Sequence, residues 1–134
     1  MTAPNMPTLI AAGLSTLTLA VHLFAGGPEV HQSLQSAGLS PMLAAFAAVL
    51  WHVASVLIAV GAGTLTIAAY KPQFRPGVLI VMAVQYAGFA ALLLFYGLTR
   101  LGTPWPMPQW TVFVILTGLC IWGLRGAAKP ATPV

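Results

Sequence analysis

Five basic and one acidic side chain are spread through 134 residues, and the segments between them are apolar enough to give a mean hydropathy of +0.93. So few charges cannot clothe a water-soluble surface, so lipid is the expected solvent for most of the chain. In hydrocarbon every backbone N–H and C=O must be paired internally, which leaves helices or closed barrels. Four apolar runs of helical rather than strand length predict an all-α fold.

The runs are 8–25, 42–70, 77–99 and 109–124. Together they use nearly the whole length, so the chain reads as a single transmembrane domain, an integral membrane four-helix bundle. Pro7 opens the first run and Gly26-Gly27-Pro28 is expected to stop it. Ser40 as N-cap with Pro41 at the first helical position opens the second. Lys71-Pro72 closes the second, Pro76 starts the third, and the turn Thr103-Pro104-Trp105-Pro106-Met107-Pro108 precedes the fourth. Between the first two spans, residues 28–37 carry Pro28 at a helix start and Glu29 in a first turn, and Gly38 follows as a stop. A separate, short interfacial helix is expected there, with Val30 and Leu34 on one face.

Lys71 and Arg75 flank one loop, and Arg125 and Lys129 follow the last span. The positive-inside rule makes that end cytoplasmic, with both termini, in an inner membrane of bacterial type. Arg100 alone sits at the opposite end, where snorkelling to lipid phosphate is favoured over a pairing with Glu29. Trp51, Tyr96, Trp105 and Trp110 fall near the outer boundary, as an interfacial belt does. The first seven residues hold no Lys or Arg, so the first run is expected to be a mature span rather than a cleaved signal.

Several chemistries are excluded. Five scattered cations make no nucleic-acid stripe. One carboxylate cannot supply an acid–base pair. GxSxG and phosphate-binding glycine loops are absent, and no charged residue lies mid-span to carry a proton. Cys120 stands alone in an apolar run and is expected to pack as a small hydrophobe.

What remains is a constellation. The only acid, Glu29, lies among all three histidines, His22, His31 and His52. Ala11, Ser15, Thr18 and His22 share one side of the first helix; Ala44, Ala48, His52, Ser55, Ala59 and Gly63 share one side of the second. Membrane helices approach closely along such stripes, so His22 and His52 are expected to face each other near the outer boundary. With Glu29 and His31 above them, they form a candidate site for Zn, Cu, Fe or Mn. His22 with His52 is also a candidate axial pair for b-type haem. The plainer reading is that the histidines are satisfied by single hydrogen bonds at the interface and that Glu29 only complements a helix dipole. Gln85 and Tyr86, mid-way along the third span, are expected to make interhelical hydrogen bonds. Thr64, Thr66, Thr111 and Thr117 are expected to bond to preceding carbonyls. Two functions follow: a metal- or haem-binding membrane protein engaged in redox chemistry or metal handling, or a non-catalytic accessory subunit that packs against a membrane-protein partner or another copy of itself.

Overall fold

The computed structural model describes residues 3–127; Lys129 and the last residues lie outside that range. Among the described residues all regular structure is helical. The long helices are α1 (Met6–Phe24), α3 (Pro41–Tyr70), α4 (Arg75–Leu101) and α5 (Trp110–Ala127), and α2 (Ser33–Gln35) is a single turn. Three helical stretches are long and apolar enough to cross a membrane: Met6–Gln35, Pro41–Tyr70 and Arg75–Leu101. The apolar stretch of α5, Trp110–Arg125, is shorter.

Local chemistry sets most helix ends as expected. The Ser40 hydroxyl accepts from Leu43 N–H at 3.4 Å, with Pro41 in the first turn. Gly38 and Gly102 take the left-handed φ of +71° that only glycine adopts at little cost. Asn5 caps α1, its Oδ1 accepting from Thr8 N–H at 3.1 Å and from the Thr8 hydroxyl at 2.6 Å. Thr64, Thr66, Thr111 and Thr117 each donate to a carbonyl three or four residues back, at 2.8–2.9 Å.

The break expected at Gly26-Gly27-Pro28 does not occur. Ala25 and Gly26 keep right-handed helical angles, and the Glu29 N–H still reaches the Ala25 carbonyl at 3.4 Å. The helix widens to a π turn over Gly27–Gln32 and runs on into α2. A π turn is the physical remedy for an internal proline, because the wider coil relieves the ring's clash with the preceding turn. The segment is therefore helical, as expected, but it continues α1 and is not a separate interfacial helix.

The four long helices form a closed ring. Packing is most extensive between α4 and α5 and between α1 and α3, with α1 on α5 closing one seam and α3 on α4 the other. The core is Ala11, Ala12, Ile58, Leu65, Leu79, Met82, Tyr86, Ala90, Phe113, Leu116 and Cys120. Small residues let the axes approach. A Cβ on Gly61 would stand 2.8 Å from the Tyr86 hydroxyl, and one on Gly123 would stand 2.8 Å from Thr8 Oγ1. Tyr86 is fully buried and its hydroxyl shares a 2.7 Å hydrogen bond with Ser15 Oγ, the interhelical bond expected of it. Outward faces are apolar: Phe46 is 59% exposed, Val84 69% and Trp122 61%. Such faces suit lipid.

Candidate functional site

The packed face of α3 lies one residue away from the stripe read in the sequence. Ile58, Gly61, Ala62, Leu65, Ala68 and Ala69 are buried, whereas His52, Ala59 and Gly63 are exposed. One residue is about 100° of helix rotation. The rotation turns Trp51 toward α1 and leaves His52 at the outer edge.

Trp51 is the centre of the site. Its indole lies against Gly26, where a Cβ would stand 2.9 Å from the ring. His22 stacks on it with ring centroids 4.0 Å apart and planes 16° from parallel. His31, carried round by the π turn, stacks on it at 5.6 Å and 23°. His52 meets the edge of His31 at 5.4 Å. Sequence position alone predicts only a belt residue at Trp51. The available signal was Gly26, a position without a side chain, but nothing local says which ring fills that space.

His22 is committed to structure. Its Nε2 lies 3.1 Å from Ser55 Oγ and 3.4 Å from the Trp51 carbonyl. The Ser55 hydroxyl donates its own proton to that carbonyl at 3.2 Å. With its proton on Nε2, the His22 ring donates toward the Trp51 carbonyl and Ser55 Oγ. The expected face-to-face pair of His22 and His52 is not formed; His22 reaches α3 at Trp51 and Ser55, and the imidazole beside His52 is that of His31. The candidate axial haem ligands His22 and His52 are not set face to face, because the His22 ring is stacked on Trp51. Glu29 is exposed, because the unbroken helix holds it at the surface instead of folding it over the cluster. Among the described residues no group of three or more His, Cys, Asp or Glu side chains is placed to hold a metal ion. The four-ligand constellation His22, Glu29, His31 and His52 is therefore reduced to one adjacent pair, His31 and His52.

That pair has unspent bonding capacity. His31 Nδ1 is buried with no hydrogen-bond partner. A buried polar atom without a partner costs roughly 1–3 kcal/mol. Beside His52, Ala48, Val49, Val53, Val56 and Leu57 line an open apolar groove of about 410 Å³ along the outer side of α3. At the same end Trp105 and Trp110 pack at 5.7 Å.

The length and apolarity of the helices define a bundle of the kind that crosses membranes, with a histidine–tryptophan cluster at one end. No protein family, curated protein or solved structure matches the chain.

Proposed function

We propose that this is an inner-membrane protein of four spans, with Lys71, Arg75 and Arg125 at the cytoplasmic face, that takes up a transition-metal ion at its outer end on His31 and His52. The observation behind this reading is that pair: two imidazoles 5.4 Å apart, one with a buried, unpartnered nitrogen. Neutral imidazole lone pairs suit Zn, Cu, Fe and Ni. Two protein ligands leave coordination positions open to water or to a small substrate, which suits metal handling or Lewis-acid and redox chemistry. Trp51 holds the His31 ring by stacking, and His22 with Ser55 braces Trp51 from below; these are positioning residues.

The test is elemental analysis of the full chain purified without chelator, followed by titration with Cu(II) or Zn(II). Near-stoichiometric metal is expected, lost in His31→Ala and in His52→Ala and retained in His22→Ala. Wild-type protein that takes up no ion at micromolar concentrations would overturn the metal reading, as would variants that bind like wild type. A non-catalytic accessory subunit is the second reading. The short apolar stretch of α5 favours it, because such a helix is helped across a bilayer by a neighbour or by local thinning.

A further inference from the structure

The surroundings of the His31–His52 pair are unusual for a transition-metal site. Glu29 is the only acid in the chain and is exposed, and among the described residues no third His, Cys, Asp or Glu joins the pair. The neighbour that does lie against it is an aromatic face. The Trp51 indole stands 5.6 Å from the His31 ring, with the planes 23° from parallel. A ring-nitrogen lone pair lies in the plane of its own ring. An ion bound to His31 therefore stands off the indole plane, on the side of the face and not in line with the edge. That face carries the negative part of the aromatic quadrupole. The indole is held in this attitude from two directions: Gly26 seats it, and His22 stacks on it at 4.0 Å.

We infer that the ion taken up by the pair is monovalent copper, Cu(I), held by the two imidazoles and by a cation–π contact with Trp51. The inference rests on the metal reading above and names the ion. Three features select it. First, the cost of taking an ion out of water rises with the square of its charge, and the pair has no carboxylate or thiolate to offset the second charge of a dication. Second, zinc ordinarily takes about three or four protein ligands, whereas Cu(I), with a filled d shell, is satisfied by a pair of nitrogen donors. The other flank of His52 supplies none of the missing ligands, because Ala48, Val49, Val53, Val56 and Leu57 are all apolar. Third, an indole is the strongest aromatic partner for a cation and a soft one, which suits a soft monovalent ion over a hard dication.

The experiment is anaerobic titration of the full-length protein in micelles with Cu(I), with Ag(I) as an air-stable monovalent probe, and with Zn(II). Tryptophan fluorescence and elemental analysis after gel filtration are the readouts. Cu(I) and Ag(I) are expected to bind near-stoichiometrically, to quench the fluorescence, and to outcompete Zn(II) by about tenfold or more, the effect of a partly desolvated cation–π contact. In Trp51→Leu the monovalent ions are expected to lose about that factor together with their quenching, and Zn(II) to lose far less. A merely structural role for Trp51 would weaken all three ions alike. Trp51→Phe should restore part of the monovalent preference, because a phenyl ring is a weaker partner for a cation. Circular dichroism checks that the variants fold; if Trp51→Leu does not, the wild-type ranking of the ions and Trp51→Phe decide. Zn(II) bound in preference to Cu(I) would overturn this inference and leave the metal reading standing, as would equal losses of all three ions in a folded Trp51 variant. Uptake of no ion at all would overturn both.

Discussion

The two ends of the bundle treat their polar groups in opposite ways. At the cationic end Asn5, Thr8 and Arg75 are all paired. Arg75 donates through Nε and a terminal nitrogen to the Ala68 and Ala69 carbonyls, both at 3.1 Å, closing the C-terminus of α3. The Asn5 N–H adds a bond to Ala69 at 2.9 Å, while the Asn5 side chain caps α1. Gly123 brings α5 against Thr8 and Leu79. At the histidine end the helix loosens into a π turn, His52 is exposed, and His31 Nδ1 has no partner. A satisfied polar network fixes helix register and adds stability; an unsatisfied one is tolerated where it does something else.

That contrast breaks if mutations at the two ends behave alike. The largest effect is expected at Gly123. A valine there drives its Cβ against Thr8 and Leu79, and overpacking of this kind costs about 1–3 kcal/mol; denaturation in mixed micelles would read it. Arg75→Ala removes two charge-assisted bonds from the α3 terminus, with an expected loss of about 2 kcal/mol. Arg75→Lys should recover only part of that, because an ammonium cannot hold two carbonyls in the guanidinium's fork. Tyr86→Phe leaves the Ser15 hydroxyl unpaired in the core and should cost about 1 kcal/mol; the double variant with Ser15→Ala should cost less than the sum of the two singles. The smallest effect is expected for His52→Ala. Its stability should change by less than about 0.5 kcal/mol, because the residue is exposed, while metal uptake falls. A large loss of stability in His52→Ala with unchanged metal content would reverse the roles assigned to the two ends.

Much of the architecture was legible in the residues. Charge poverty and run length gave the helical class, Ser40-Pro41 gave the start of α3, and Gly38 gave the stop before it. The threonine bonds and the interhelical role of Tyr86 also followed from local geometry. The candidate site was half legible. The three histidines do gather at one end, but the ring that meets His52 is His31 and not His22. Its signals for a helix break at Gly26-Gly27-Pro28 were also misleading, because a π turn absorbs the proline and Gly26 serves as the seat of an indole.

The sequence by itself determined which segments are helices and that they are apolar enough to meet lipid, because those depend on composition and on neighbours within a turn or two along the chain. Only the tertiary structure decided the rotation of α3. A single-residue difference in register turns a helix face by about 100° and exchanges Trp51 for His52. That choice rests on how a large ring on one helix fits a glycine on another, 25 positions away in the chain. Hydrophobic periodicity carries no record of such a fit, because it counts apolar residues and not their shapes. The same limit applies to Gln85. Its amide could be recognised as polar from the sequence, but its lack of a partner appeared only once the surrounding helices were in place.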